Sequence, residues 1–191
     1  MSPSRIAGLV AIVLIAIVAG TLLYRHAARS GNQAPDFALV DQAGRPFVLS
    51  QQRGKPVILF FGYTHCTDVC PITLAHVAAA IRSLGTRGRD IEPLFVTVDP
   101  KRDDPAALGK YVSSFGTNFI GLTGTTAELD KTYAGYHVFA HAVPPGQDER
   151  GYEVEHGSAL YYIDRDGALT SFGDATDDPD AIARRLSALT G

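Results

Sequence analysis

Cys66 and Cys70 are the only two cysteines of the 191-residue chain, and they stand in the stretch FFGYTHCTDVCPITL at residues 60–74. One turn of helix brings positions i and i+4 onto the same face, so the Cys-x-x-x-Cys pair can turn both sulfurs into one space. Sulfurs placed this way can close into a disulfide, exchange with a partner's disulfide, or chelate one soft metal ion. Spacing alone leaves these open. A clip across three residues closes a very small loop and stabilises little, which argues against a purely structural disulfide.

Other side chains could join that chemistry. Tyr152, Val154, His156 and Ser158 alternate with Glu153 and Glu155, which puts His156 on one face of a strand with two apolar residues. Asp99, Arg102 and Asp103 in VDPKRDDP follow an apolar run at its carboxyl end, the edge where α/β sites are assembled. Asp99 as a turn residue and Asp104 as a helix cap account for part of that pattern. His137 and His141 are also spaced H-x-x-x-H, but 66 residues separate Cys70 from His137, far beyond zinc-finger spacing. They read as solvated. His65 adjoins Cys66 and reads as a surface residue that could tune the thiolate, His76 as the outward face of a helix, and His26 as the flank of the N-terminal segment. Met1 is the only methionine, so sulfur for a metal must come from the cysteines.

The elements that position these residues are legible in the pattern of the chain. Residues 36–40 and 46–49, joined by a turn at 41–44, predict a β-hairpin. The continuous apolar run PVILFF at 56–61 predicts a strand covered on both faces, hence a central one. Pro71 suits the first position of a helix; Leu74, Val77, Ala78, Ile81 and Leu84 follow at helical spacing until Gly85 stops it. That places Cys70 at a helix N-terminus, which should favour its thiolate. Residues 91–98 predict a second buried strand, and Asp104-Pro105 opens a helix to about residue 115. Such alternation predicts a mainly parallel sheet. Thr125 with Glu128 is a capping-box pattern for a helix over 126–134. Residues 137–151, with Pro-Pro-Gly and several charges, read as an excursion from the core. Residues 159–163 and 168–172 form a hairpin about Asp166-Gly167, and Asp178-Pro179 begins a last helix with Ile182, Leu186 and Leu189 inward.

Composition sets the context. Length and 46% hydrophobic content suit one domain of ordinary size. Residues 6–24 carry no charge and would span roughly 28 Å as a helix, against a hydrocarbon core of about 30 Å. The run exceeds the roughly 7–15 residues of a signal-peptide core, so an uncleaved membrane anchor over 1–26 is expected, followed by a polar linker at 27–33 and a domain over 34–191. Residues 30–191 hold all 20 acids against 14 Lys and Arg, a balance that disfavours nucleic acid as a partner. Two cysteines beside a membrane signal suit an extracytoplasmic, oxidising compartment.

From Ala34 to about Gly173 the chain resembles the Sco/SenC family of copper chaperones for cytochrome c oxidase assembly. PDFALVDQAG, FFGYTHCTDVCP, VTVDPKRDDP, GLTG at 121–124 and EHGSALYYID occur in the family's order. The resemblance implies a membrane-tethered, thioredoxin-like α/β fold with a central mixed sheet flanked by helices. It also implies one copper ion held by Cys66, Cys70 and His156, and a partner in the copper-centre subunit of the oxidase, to which copper is delivered or whose cysteines are reduced. Asp99, within the DPKRD match, is then expected to orient a donor or partner contact. Thr67 stands where the family usually has proline, and Gly157 where Ser or Thr is commoner; a glycine there would loosen the strand bearing His156. The chemistry agrees: thiolates favour Cu(I), imidazole suits either state, and the ligand set carries charge −1 with Cu(I) and zero with Cu(II).

The rival reading is a membrane-tethered thiol:disulfide oxidoreductase of the same fold. Against a general thioredoxin stand the three-residue spacing and the missing proline before residues 159–163. Against a peroxidase, Thr64 lies two residues before Cys66, whereas peroxiredoxins place their threonine three before the reactive cysteine.

Overall fold

In a computed structural model of the chain, residues 14–21, 32–116, 118–143 and 152–190 are described. Contacts divide the chain into Met1–Gln33 and Ala34–Gly191. In the first unit residues 14–21 are helical, and the rest of the expected anchor, with His26 and nearly all of the linker, lies outside the described residues. No helix among the described residues is long and apolar enough to cross a membrane.

The second unit is built on the strands Ala38–Asp41 (β1), Pro46–Val48 (β2), Val57–Gly62 (β3), Glu92–Thr97 (β4), Ile120–Thr123 (β5), Ala140–Val143 (β6), Glu153–His156 (β7), Ala159–Ile163 (β8) and Leu169–Asp174 (β9). Its helices are Val69–Ser83 (α1), Pro105–Ser113 (α2), Thr126–Gly135 (α3) and Pro179–Leu189 (α4). Seven strands form one sheet in the order β2-β1-β5-β4-β3-β8-β9. Every residue of β3 is buried, and β3 is flanked by β4 and β8, so the unbroken apolar run does mark an interior strand.

The sheet is mixed rather than mainly parallel. Only β3-β4-β5 run parallel, where helices supply the crossovers; β1-β2, β1-β5, β3-β8 and β8-β9 are antiparallel. For β1-β2 and β8-β9 the reason is local: the turns after Asp41 and Asp164 are too short to do anything but reverse the chain. Asp41 Oδ1 accepts from the Ala43 and Arg45 N–H groups, and Asp164 Oδ1 from those of Asp166 and Ala168. The helix signals also hold. Asp104 and Asp178 cap α2 and α4 by accepting from the Ala107 and Ala181 N–H groups, and Thr125 with Glu128 closes a capping box on α3.

Two expectations shift. Helix α1 begins at Val69, two residues before Pro71, so Cys70 lies inside its first turn. Residues 137–151 are not wholly an excursion, because β6 pairs antiparallel with β7 in a separate two-stranded sheet, Ala140 facing His156. The pattern that could have revealed β6 is short and has no fully buried residue, and its partner lies beyond the Pro-Pro-Gly stretch.

Register fixes the site. Gly62 is opposite Thr97, and the Val98 N–H donates to the Gly62 carbonyl at 2.8 Å, so the chain leaves β3 and β4 side by side. The loop to Cys66 and the turn to Asp103 therefore start from adjacent points.

Candidate metal centre

Helix α1 has an N-cap residue, Asp68, whose side chain makes no capping bond. A sulfur takes that place: Cys66 Sγ accepts from the Cys70 N–H at 3.4 Å. This arrangement, with the Cys70 thiol donating to Cys66 as the leading cause, holds the Cys66 thiol down to about 5, the Asp68 N–H and the nearby His156 adding to it. Cys70 is fully buried, and donating to Cys66 together with burial pushes its thiol well above the ordinary range. The expectation for the helix terminus is thus corrected: the thiolate it favours is on Cys66, the half-buried sulfur, while Cys70 keeps its proton. Both cysteines are free.

His156 comes from the end of β7 and leans edge-on against Phe60 and Tyr63, with ring centroids 6.3 and 5.9 Å away. Its Nδ1 lies 2.8 Å from the Gly157 carbonyl oxygen. A carbonyl can only accept, so Nδ1 carries a proton, and in the neutral form of the ring the lone pair is on Nε2. That Nε2 is 3.8 Å from Cys70 Sγ. An ion about 2.3 Å from a sulfur and about 2.0 Å from a nitrogen would need the two within about 4.3 Å of each other, as they are. Gly157 does not leave the strand end loose: its N–H donates to the Phe139 carbonyl at 3.3 Å, and its own carbonyl orients the imidazole. As the side chains stand, no three His, Cys, Asp or Glu among the described residues are drawn round one point. The donors therefore fit a soft ion by chemistry and by the His156–Cys70 distance, with Cys66 left to close on it.

Asp99 is buried. It forms an ion pair with Arg102, and it accepts from the Tyr152 hydroxyl at 2.6 Å. Arg102 also donates to the Tyr152 carbonyl at 2.9 Å and lies 3.8 Å from the centre of the Tyr152 ring. The three residues tie the start of β7 to the end of β4. Beneath the hairpin is a cavity of about 420 Å³, walled by Val98, Leu129, Tyr133, Ala142 and Val154. The Asp99–Arg102–Tyr152 tether adds to the hairpin's attachment, which also rests on Val154 in the core.

His137, with φ 54°, and His141 are exposed, and His141 stacks on Phe139. His65 is exposed and within 3.1 Å of Thr64 Oγ1. His76 is not fully outward: it is half-buried, its Nδ1 3.0 Å from the Asp177 carbonyl oxygen.

One contributor, Gly62, was missed in the sequence, and another, Asp103, was named there without a role of its own. Gly62, at the end of β3, leaves room for Cys70. Asp103 is fully buried and accepts from the Thr64 N–H at 3.0 Å and from the hydroxyls of Thr64 and Thr97, each at 2.6 Å. The DPKRD run held the signal for Asp103, but nothing in it tells which aspartate faces inward.

A thioredoxin-like sheet, with a dithiol at the first turn of α1 and an imidazole brought to it by a hairpin, defines a class of domain able to do thiol or soft-metal chemistry. The family model SCO1/SenC matches residues 25–191, and the chain belongs to that family. The mitochondrial SCO2 homolog of Mus musculus is 37% identical over 139 residues, which are 72% of this chain and 54% of the relative. The chain thus spans little more than half the length of the curated relatives it matches. The structure of Bradyrhizobium japonicum ScoI with copper bound is 36% identical, with a TM-score of 0.74 over 82% of this chain and 99% of that one. BsSco, a member of the Sco family of cytochrome c oxidase assembly proteins with a disulfide switch, is 21% identical at a TM-score of 0.65 over 83% and 94% of the two chains, a likeness of fold alone.

Proposed function

We propose that this chain binds one copper ion through Cys66, Cys70 and His156 and serves the assembly of the binuclear copper centre of cytochrome c oxidase, as a carrier of copper to its copper-centre subunit. The observation that carries the reading is His156, whose Nδ1 is committed to the Gly157 carbonyl and whose free Nε2 faces Cys70 Sγ at 3.8 Å. A thiol oxidoreductase has no use for a third ligand oriented in this way. The copper-bound ScoI relative and the five ordered motifs point the same way. Two thiolates suit Cu(I), and the imidazole adds the donor that Cu(II) prefers. Asp99 acts through Arg102 and Tyr152 by holding the hairpin that bears His156. We further propose residues 1–26 as a membrane anchor and 27–33 as a linker, with the domain over 34–191 on the extracytoplasmic side. The test is titration of the reduced chain with copper, which should give one equivalent and a thiolate-to-copper absorption. Uptake that persists after full oxidation of the cysteines would overturn the two-thiolate site.

A second reading has its own observation. Half-buried Cys66 with its thiol near 5, beside a buried and protonated Cys70, is the asymmetry of an attacking and a resolving thiol. Cys66 would attack a partner disulfide, and Cys70 would then release the partner as a dithiol, leaving a Cys66–Cys70 disulfide. Applied to the oxidase, this reduces the cysteines that receive copper. Catalytic reduction of an oxidised partner by metal-free protein, undiminished in His156→Ala, would favour it.

A further inference from the structure

The loop between β3 and α1 has few bonds of its own. Between Gly62 and Val69, the Cys66 N–H donates to the Tyr63 carbonyl at 3.2 Å, a weak turn for a segment that must hold a metal-binding sulfur. The stronger contacts come from Asp103, 39 residues away from Thr64 in sequence. Its Oδ2 accepts from the Thr64 N–H and the Thr97 hydroxyl, and its Oδ1 from the Thr64 hydroxyl, so both oxygens are used. Thr97 Oγ1 in turn accepts from the Asp99 N–H at 2.9 Å, which joins the clamp to the turn that bears the hairpin tether.

The choice of a carboxylate is informative. Asp103 is 0% exposed, and the nearest cation among the described residues is the imidazole of His65, 3.9 Å from Oδ1 and itself charged only when protonated. A buried carboxylate without a cation costs several kcal/mol unless hydrogen bonds satisfy it. Hydrogen bonds to a charged acceptor are roughly twice as strong as neutral ones, and three of them converge here on two adjacent strand ends. The Asp103–Thr64 contact lies two residues from Cys66, on the side opposite the helix, so Cys66 is held from both directions.

We propose that Asp103 is a positioning residue for the copper site, its carboxylate clamping Thr64 to Thr97 so that Cys66 is presented to the ion alongside Cys70 and His156. This rests on the copper reading above. It assigns the role of orienting a donor to Asp103, and leaves Asp99 to the hairpin.

The experiment compares the full chain with Asp103→Ala, Asp103→Asn and Thr64→Val, reduced and metal-free at the start. Each is titrated with copper while the thiolate-to-copper absorption is followed, and each is separately tested for the alkylation rate of Cys66 without metal. Asp103→Ala is expected to lose about 10- to 100-fold in copper affinity, the usual effect of removing a group that orients a ligand, and to change its absorption. Asp103→Asn can keep its amide oxygen toward Thr64 N–H and Thr97, while its NH₂ faces a Thr64 hydroxyl turned to accept; it keeps the contacts but loses the charge that strengthens them, and should fall between the parent and Asp103→Ala. Thr64→Val should lose about 2- to 10-fold, the equivalent of one hydrogen bond. A lower melting temperature in Asp103→Ala with parental affinity, absorption and alkylation rate overturns the proposal, as does Asp103→Asn behaving like Asp103→Ala. If Asp103→Ala fails to fold, Thr64→Val decides, and parental behaviour there overturns it. A parent chain that takes up no copper overturns the copper reading instead, and the alkylation rates then judge the clamp: a severalfold change in Asp103→Ala, at least partly restored in Asp103→Asn, keeps it, and no change removes it.

Discussion

Gly62 and Cys70 share one space: a β-carbon added at Gly62 would stand 2.9 Å from Cys70 Sγ and 2.8 Å from the Phe95 ring. Both are closer than real β-carbons approach other atoms. The last residue of β3 therefore lacks a side chain so that the buried sulfur can sit against the sheet. Gly62→Ala should destabilise the domain by about 1–3 kcal/mol, the range for overpacking, and displace Cys70 from His156. Denaturant unfolding and copper titration check both; Gly157→Ser, where an added β-carbon meets only Phe139 at 3.9 Å, should be near parental in each.

Among the histidines, only His156 should matter for copper. His156→Ala should weaken Cu(II) most, because Cu(I) can remain on two thiolates while the divalent ion prefers a nitrogen donor. His65→Ala, His137→Ala and His141→Ala should each bind one copper as the parent does. Unchanged Cu(II) affinity and absorption in His156→Ala would sink the three-ligand assignment.

The two thiols make the stability of the reduced protein depend on pH in opposite senses. Cys66 has its folded value lowered from 9.0 to about 5, so its contribution is fully present above the unfolded value and is lost as pH falls through about 5. Cys70 has its folded value raised, so its contribution is present below the unfolded value near 9.0 and is lost as pH rises past it. Reduced protein should thus gain stability between about pH 5 and 9 and lose it above. Melting temperatures of the Cys66→Ser and Cys70→Ser variants, followed from about pH 5 to above 9, should lack one limb each.

The tether can be cut at one atom. Tyr152→Phe keeps the ring beneath Arg102 but removes the hydroxyl that donates to Asp99 at 2.6 Å. A hydrogen bond to a charged group contributes about 1.5–3 kcal/mol, so a loss of that order is expected, together with a broadened Cu(II) spectrum as His156 samples more positions. Loss of stability with an unbroadened spectrum would separate the tether from the copper site.

The proposed anchor predicts that the full chain resists carbonate extraction and keeps its N-terminus. A mature protein that begins after residue 24 would show a cleaved signal instead.

By itself the sequence determined what near neighbours decide. The Asp41 and Asp164 turns, the Asp-Pro starts of α2 and α4, the capping box of α3 and the buried run of β3 all rest on residues within a few positions of one another. The Cys-x-x-x-Cys pair and the alternation around His156 belong to the same class, as patterns whose chemistry is carried by residue type. Tertiary structure decided the rest, because burial and long-range hydrogen bonds choose among equals. It chose Cys66 for the thiolate by turning the Cys70 thiol to donate to it and by burying Cys70, and it brought Cys70 to His156 across 86 positions. It turned Asp103 toward the cysteine loop and Asp99 toward the hairpin, although both stand in one acidic run. It also paired β6 with β7 across the 144–151 segment, a contact whose energy lies in two strands meeting and in neither strand alone.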